Sequence, residues 1–235
     1  MRLDNYLVVK GLSQSRNKAQ EIIKAGLVHV DGKLVKKPAL QVQENDEVKI
    51  EEHKAYVSRA AFKLDEFLNE IDLHVKNKTA LDIGSSTGGF TQVLLERGVK
   101  EVSCVDVGHD QLHHSLRTNE RINVYEGCDI RKFASDKLFD LIVSDVAFIS
   151  LLYILDDVDR LGNQDIILLF KPQFEVGREV KRDKNGVVQD KKAIANAMIK
   201  FEDACRLKNW QLVKKSPSKL TGKEGNLEYC YYFKK

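Results

Sequence analysis

Four ionisable residues could form one chemical site. Three of them stand at an end of a segment that looks like a buried strand, and the fourth lies in a helical segment. Lys171 follows the apolar run IILLF and precedes Pro172, whose missing amide hydrogen stops the strand from donating further. Asp145 ends an earlier run in VSDVAF, and Glu228 begins the last run in GNLEYCYYF. Lys63 lies in a helical segment ahead of all these runs, off its apolar stripe.

Amines and carboxylates in such positions are suited to moving a proton. The amine of Lys171 can take a proton from a substrate hydroxyl if it is transiently neutral, while Asp145 fixes its direction. We expect these two side by side, with Lys63 and Glu228 approaching from flanking elements. The other interpretation is two structural ion pairs. Buried pairs contribute little net stability, so a cluster at a sheet edge favours a functional site.

The elements that position these residues follow from Thr79 onward, where strand-like runs alternate with helical spacing. The runs are TALDIG, EVSCVDVG, INVYEGCDI, LFDLIVSDVAF, DIILLF, WQLVKKS and LEYCYYFKK, with a long helix at about 190–207. This alternation predicts an α/β fold with a mostly parallel seven-stranded sheet covered by helices on both faces. The carboxyl ends of its parallel strands then form one edge, where ligands bind.

The segment DIGSSTGGF follows the first of these strands and begins a helix. Its glycines allow a close approach to a ligand. Ser86 replaces the second glycine of the dinucleotide motif G-x-G-x-x-G, which counts against an NAD enzyme, the alternative for this half. Asp106 ends the second strand, where a carboxylate can accept both ribose hydroxyls of a nucleoside cofactor. Asp129 ends the third and can contact an adenine edge.

The pattern D-x-G-x-x-x-G-G, with an acid after the second strand, resembles the class I S-adenosylmethionine-dependent methyltransferases. The resemblance implies a Rossmann-like domain and S-adenosyl-L-methionine as the cofactor. Gly84, Ser85 and Gly88 would wrap its methionine part, and Asp82 and Asp145 would face its sulfonium and amino end. The expected cofactor-binding residues are Asp82, Gly84, Ser85, Ser86, Gly88, Gly89, Phe90, Asp106, Val107, Asp129 and Asp145.

The first fifty residues carry a separate, basic pattern. Residues 1–43 hold eight Lys or Arg against three Asp or Glu. Two short helices, a hairpin turning at Asp31-Gly32 and the strand DEVKI predict a small α+β module. RLDNYL, SRNKAQEIIKAGLVHVDGK and NDEVKI, in that order, resemble the S4 RNA-binding domain, which implies contacts to RNA phosphates. The expected RNA-binding residues are Arg2, Lys10, Arg16, Lys18, Lys33, Lys36 and Lys37 there, and Arg59, Arg178 and Arg182 beyond it.

The charged segment EEHKAYV is the best domain boundary. We expect an S4 domain over 1–52, a linker over 53–57 and a methyltransferase domain over 58–235. Ser58 is expected to cap the helix in SRAAFKLDEFLNEI. The basic segment VGREVKRDKNGVVQDKKAI, which follows FKPQFE, is expected to be a mobile loop or a lid over RNA and cofactor.

With SRAAFKL, VSDVAF, FKPQFE and GNLEY around them, Lys63, Asp145, Lys171 and Glu228 resemble the catalytic K-D-K-E set of the FtsJ-like ribose 2′-O-methyltransferases. An S4 module ahead of such a domain resembles the TlyA (haemolysin A) family over essentially the whole chain. That resemblance implies methylation of a cytidine ribose in ribosomal RNA. The chain starts at the S4 helix and stops soon after its last strand. This favours the shorter family form, associated with large-subunit (23S) RNA alone, over the longer form, associated also with 16S RNA.

Composition sets outer bounds on these expectations. No run approaches a membrane span and none resembles a signal peptide, so we expect a soluble, cytoplasmic protein. Its partner would be ribosomal RNA or a ribosomal subunit, with no membrane and no stable protein partner. Four cysteines without a Cys-x-x-Cys pair predict buried reduced thiols rather than a zinc site. The alternative functions are a non-catalytic RNA-binding or ribosome-assembly factor, a haemolysin and an enzyme that methylates a base.

Overall fold

The computed structural model describes residues 1–24, 26–50 and 56–235. The chain divides into two units, Met1–Ala55 and Tyr56–Lys235. Of the expected linker over 53–57, residues 53–55 lie outside the described residues. Tyr56 and Val57 pack against the core of the second unit, and Val57 N donates to Gln92 Oε1 at 2.8 Å. The second unit therefore begins two residues earlier than expected.

The first unit packs two helices against a three-stranded antiparallel sheet. Its elements are α1 (Leu3–Val9), α2 (Arg16–Lys24), β1 (Val28–Val30), β2 (Lys33–Val35) and β3 (Val48–Ile50), with the strand order β2-β1-β3. Ser15 Oγ caps α2 by accepting from Lys18 N. Asp31 and Gly32 both have positive φ (49° and 73°), as a type I′ hairpin turn requires.

The second unit is a seven-stranded sheet between two helical layers. Its strands are β4 (Thr79–Ile83), β5 (Glu101–Val105), β6 (Ile122–Tyr125), β7 (Phe139–Ser144), β8 (Gly162–Phe170), β9 (Gln211–Pro217) and β10 (Tyr229–Lys234). Its helices are α3 (Ala60–Asn69), α4 (Gly89–Glu96), α5 (His114–Arg117), α6 (Leu155–Leu161), α7 (Pro172–Glu175) and α8 (Lys191–Leu207), with 3₁₀ turns at Ile130–Lys132 and Leu151–Tyr153.

The sheet order is β6-β5-β4-β7-β8-β10-β9. The first five strands pair in parallel, whereas β10 runs antiparallel to both of its neighbours, β8 and β9. The expected α/β fold with a mostly parallel sheet is confirmed. Tyr229 pairs with Phe170, so the start of β10 lies beside the end of β8. This register brings residues 171 and 228 to the same edge of the sheet.

The packing of β8 explains its uninterrupted apolar sequence. Ile166, Leu168 and Phe170 enter the core that α6 and α8 cover. Ile167 and Leu169 enter the opposite core, which α3 and α4 cover. All five side chains are buried, because helices cover both faces of the sheet. The strand therefore holds the residue at its end, Lys171, on a rigid support.

One predicted helix cap is wrong. Helix α3 begins at Ala60, with Arg59 at the N-cap in an αR conformation and no side-chain cap. Ser58 Oγ is buried against α4 instead, so close that a Cβ on Gly89 would come within 2.2 Å of it. The packing of α3 on the start of α4 thus outweighs the local capping preference of serine.

The cysteines agree with the expectation of buried reduced thiols. All four are free, and Cys104, Cys205 and Cys230 are buried. Burial raises the pKa of Cys205 and of Cys230 to about 12, which keeps both thiols protonated and unreactive. Within the described ranges, no helix has both the length and the apolar character that crossing a membrane requires.

Candidate active site

Four side chains come together as two ion pairs at the carboxyl edge of the sheet. Lys171 Nζ lies 2.6 Å from Asp145 Oδ1 and donates a hydrogen bond to the Asp145 carbonyl at 3.2 Å. Lys63 Nζ donates to Glu228 Oε2 at 2.6 Å. None of the four side chains is more than 14% exposed. The structure therefore brings together, in two pairs, the residues that the sequence singled out.

Strand order explains this meeting. Asp145 directly follows β7, Lys171 follows β8 and Glu228 precedes β10, and these strands are neighbours in the sheet. Lys63 comes from α3, which packs against β10. The buried thiol of Cys230 lies near both pairs. Burial is the main cause of its raised pKa, and the charges of Lys63, Asp145 and Glu228 all act on it.

Two cavities adjoin the Lys171–Asp145 pair. The larger, of about 480 Å³, has Asp106 and Asp129 in its lining. The smaller, of about 260 Å³, has Asp82 and Lys171 in its lining. Residues that line both cavities are Gly84, Ser86, Asp145 and Ala147. The two cavities are thus adjacent, and together they have the size of a small-molecule site.

The glycine segment approaches its neighbours too closely for side chains. Gly84 has φ of +77°, and a Cβ there would lie 3.1 Å from Val146 Cγ1. Gly88 has φ of +90° at the N-cap of α4, and a Cβ there would lie 2.5 Å from Leu116 Cδ1. Gly84 lines both cavities, whereas Gly88 lines neither. The geometry therefore explains Gly88 by packing and backbone conformation rather than by wrapping a ligand.

The two strand-end acids are held by neighbouring donors. Asp106 accepts from Ser86 N at 2.8 Å and from Gly108 N at 2.7 Å. Asp129 pairs with Arg131, whose hydrogen bonds lower the pKa of that carboxyl to about 2. Both residues are therefore oriented at the cavity wall, and a carboxylate has lone pairs for further donors.

Asp82 is a fully buried carboxyl with an unsatisfied oxygen. Its Oδ2 accepts from Thr91 Oγ1 at 2.6 Å, while Oδ1 has no hydrogen-bond partner among the described residues. Burial raises the pKa of Asp82 to about 7; the Thr91 hydrogen bond opposes the rise, and the charges of Asp145 and Asp106 add to it. An open oxygen beside a cavity is suited to a cationic or hydrogen-bond-donating ligand group.

Sequence reasoning missed Phe148. Its side chain is 91% exposed, its φ is +65°, it lines the larger cavity, and its ring lies 5.3 Å from that of Phe174. The signal available was an aromatic residue three positions after Asp145, within VSDVAF. Further lining residues without a sequence signal are Gln111, Cys128, Ile130, Val146, Ala147 and Ile149.

The expected RNA-binding residues of the first unit are at its surface, and two of them share a buried anchor. Arg2 Nη2 lies 2.8 Å, and Arg16 Nε 3.2 Å, from Oδ2 of Asp4, which is fully buried. The Arg2 hydrogen bond is the main reason that the pKa of Asp4 lies well below its usual range. The two guanidinium groups are therefore held in fixed positions. The other five residues, Lys10, Lys18, Lys33, Lys36 and Lys37, are exposed.

In the second unit, Arg59 and Arg178 are exposed, but Arg182 is engaged by the backbone. Its guanidinium donates to the carbonyls of Gln173, Gly177, Arg178 and Val180. The segment after α7 is thus folded around Arg182. The expected contact of Arg182 with a phosphate stays a prediction, and the structure gives the residue a local role as well.

Comparison with known proteins assigns a family to each of the two units. The sequence profile of the FtsJ-like methyltransferase family matches residues 56–235, and that of the S4 domain matches residues 1–48. The 23S rRNA (cytidine-2′-O)-methyltransferase TlyA of Campylobacter jejuni is 47% identical over 99% of both chains. The 16S/23S rRNA (cytidine-2′-O)-methyltransferase TlyA of Mycobacterium tuberculosis is 37% identical over 99% of this chain and 89% of its own. A solved structure from Streptococcus thermophilus, described as a suspected hemolysin, is 32% identical and covers 100% of this chain and 88% of its own, with a TM-score of 0.74.

Proposed function

Because the chain belongs to the TlyA family of FtsJ-like methyltransferases with an S4 domain, we propose that it methylates a cytidine ribose 2′-hydroxyl in ribosomal RNA. The methyl donor is S-adenosyl-L-methionine, and the main substrate is 23S RNA, with 16S RNA as a second possible target. The reaction takes place in the cytoplasm. The observation that carries the proposal is the buried Lys171–Asp145 pair beside the two cavities, with the buried Lys63–Glu228 pair at the same edge of the sheet.

The residues around the cavities fit the cofactor. Asp82 offers an open carboxyl oxygen, and Gly84 lines both cavities without a side chain of its own. Asp82 and Asp145 would hold the cationic methionine end, Asp106 the ribose and Asp129 the adenine. Bound there, S-adenosyl-L-methionine supplies an electrophilic methyl group on a sulfonium. An NAD enzyme is disfavoured, since the family match is to methyltransferases.

Lys171 is the proton acceptor in this mechanism. With the cofactor bound, the ribose oxygen would take the methyl group from the sulfonium, and its hydroxyl proton would pass to the amine of Lys171 after that amine has given up its own proton. Asp145 orients that amine through both its carboxylate and its carbonyl oxygen. Glu228 holds the ammonium of Lys63 at the same edge, where a fixed cation stabilises negative charge on the reacting oxygen.

RNA recognition is assigned to residues 1–52, and catalysis to residues 58–235. The basic residues of the first unit bind phosphates, which gives affinity rather than sequence specificity. Phe148 and Phe174 offer aromatic surface beside the larger cavity, on which an unstacked base can pack. A haemolysin or a non-catalytic assembly factor would leave the buried quartet without a role. A base-methylating enzyme is disfavoured because VSDVAF lacks the Asn/Asp-Pro-Pro-aromatic motif and no catalytic cysteine accompanies it.

Mass mapping of ribosomal RNA nucleosides tests this proposal directly. Cells that carry the gene should contain one or more 2′-O-methylcytidines that disappear when the gene is deleted. Methylation should return with the wild-type gene and stay absent with a Lys171→Ala gene. Identical nucleoside maps in the two strains would contradict the proposed function, whereas loss of a base-methylated nucleoside would point to a different chemistry.

Cofactor affinity should depend on pH through Asp82. With a pKa of about 7 in the free protein, Asp82 is mostly neutral at pH 6 and mostly ionised at pH 8. The ionised form binds a cationic ligand better, so affinity should rise with pH across this window and then level off. The expected change between pH 6 and pH 8 is about tenfold. Calorimetric titration with S-adenosyl-L-methionine measures it.

Two variants separate this effect from a general pH dependence. Asp82→Asn should bind more weakly at pH 8 and show a flat profile. Thr91→Val removes the hydrogen bond that lowers the pKa of Asp82, so its profile should shift to higher pH. A wild-type affinity that is constant from pH 6 to pH 8 would be inconsistent with Asp82 as a cofactor ligand.

A further inference from the structure

The short helix α7 contacts the active site through several of its side chains. Pro172 is its first residue, and Lys171 is its N-cap. Phe174 packs on Phe148, and Glu175 accepts from Leu151 N at 2.8 Å and from Ser150 Oγ at 2.5 Å. These contacts anchor α7 to the segment that follows Asp145. They therefore also restrict the position of Gln173, the other polar residue of this helix.

The side chain of Gln173 contacts Glu228. Its Nε2 donates to Glu228 Oε1 at 3.2 Å, while Glu228 Oε2 is the oxygen that binds Lys63. Glu228 is 2% exposed, so bulk solvent does not reach its carboxylate. Each carboxylate oxygen of Glu228 thus has its own side-chain donor, and Gln173 is what fixes the rotation of the carboxylate.

The backbone of Gln173 is held as well. Its carbonyl accepts from Arg182 Nη2 at 3.0 Å, and the same guanidinium binds three further carbonyls of the following segment. Gln173 lies two residues after Lys171 in one helical turn. The turn therefore connects the Lys171–Asp145 pair to the Lys63–Glu228 pair through a single rigid element.

We propose that Gln173 is a positioning residue for methyl transfer, which holds the Glu228 carboxylate, and through it the Lys63 ammonium, in line with Lys171. This inference rests on the proposed function. Outer-shell donors that orient metal ligands typically contribute about 10- to 100-fold to activity, and we expect a similar factor for a donor that orients a buried carboxylate. Gln173→Leu should lower kcat by about that factor. Its cofactor Kd and its KM for RNA should stay within about twofold, because Gln173 acts through Glu228.

Gln173→Glu gives a readout that a purely structural role would not produce. At low pH the new side chain is protonated and can donate to Glu228 as the amide does. As pH rises it ionises against a buried carboxylate, which is unfavourable. The ratio of variant to wild-type kcat should therefore fall by at least about fivefold between pH 6 and pH 9.

The same variant can be tested without cofactor or RNA. A carboxyl that shares its site with Glu228 has a higher pKa when folded than when unfolded, so its contribution to stability is lost as pH rises through that window. The Tm of Gln173→Glu should thus fall relative to wild type as pH increases. The Tm measurement tests the contact between Gln173 and Glu228 without an activity assay. If the wild-type protein shows no activity on RNA, that result contradicts the proposed function but not this contact.

Gln164 provides the matched control. It also donates to a carboxylate, Asp140 Oδ1 at 3.5 Å, and lies in β8, but near the strand's other end. Gln164→Leu and Gln164→Glu should leave kcat and its pH profile unchanged. Wild-type kcat in Gln173→Leu would overturn the proposal. If Gln173→Leu fails to fold, Gln173→Glu still tests the proposal. The proposal is overturned if neither its kcat ratio to wild type nor its Tm difference from wild type changes with pH.

Discussion

Lys171→Ala should bind S-adenosyl-L-methionine with near wild-type affinity and transfer almost no methyl groups to ribosomal RNA. General-base groups contribute about 10²–10⁴-fold to rate, so kcat should fall by that factor. The side chain touches Asp145 and lines the smaller cavity, but it does not contact Asp106 or Asp129. Transfer of tritium from methyl-labelled cofactor to RNA measures methylation, and calorimetry with the cofactor measures its affinity.

Lys78 supplies the control for losing a buried ion pair. Its Nζ lies 2.5 Å from Asp165 Oδ2, a geometry similar to that of Lys171 and Asp145, but at the opposite edge of the sheet. Lys78→Ala should lose stability of the same order as Lys171→Ala and keep its kcat. Near wild-type methylation by Lys171→Ala would refute the mechanism. Equal loss of kcat in both variants would instead indicate that stability alone is responsible.

Removal of residues 1–52 should weaken RNA binding by on the order of 10²–10³-fold at moderate salt and leave cofactor affinity within about twofold. The described part of the first unit carries all seven expected phosphate contacts of that domain, six of them exposed. The cavity linings and the four side chains of the two buried ion pairs all lie in the second unit, which has its own core.

The salt dependence of binding distinguishes a lost RNA-binding surface from a damaged protein. Each phosphate contact that is lost should make the plot of log K against log salt concentration shallower by roughly 0.7–0.9. Replacing Lys33, Lys36 and Lys37 together by Gln should therefore flatten the slope by about two units while the module stays folded. If the shortened chain bound RNA with unchanged affinity and slope, the S4 module could not be the main RNA-binding element.

The proximity of the four ionisable side chains was predictable in part, because three of them stand at an end of a strand-like run. Lys171 ends an apolar run before Pro172, and Asp145 ends another. Because the carboxyl ends of parallel strands lie at one edge of the sheet, two residues that end neighbouring strands are expected to lie close together. The contact between Glu228 and Lys63 does not follow from the hydrophobic pattern alone. It depends on β10 entering the sheet antiparallel between β8 and β9, a register that hydrophobic spacing does not encode.

Other parts of the site could not be predicted for similar reasons. The Gln173 side chain binds a carboxylate 55 positions away, and the Arg182 side chain binds backbone carbonyls between 2 and 9 positions away, which any sequence would supply. The exposure of Phe148 follows from a positive φ that is rare for an aromatic residue. Ser58 was misjudged because its capping preference is worth only about 1 kcal/mol, less than the packing of two helices.

The antiparallel last strand also has a consequence for the order of events during synthesis. The glycine segment and the ends of β4, β5 and β7, which form most of the larger cavity, all precede residue 155. Glu228 comes more than fifty residues after Lys171, at the start of β10. A nascent chain interrupted before β10 therefore contains the lining of the larger cavity but lacks Glu228. Under the proposed mechanism, methyl transfer would begin only after the final strand has joined the sheet. A partly synthesised chain on the ribosome would therefore be inactive.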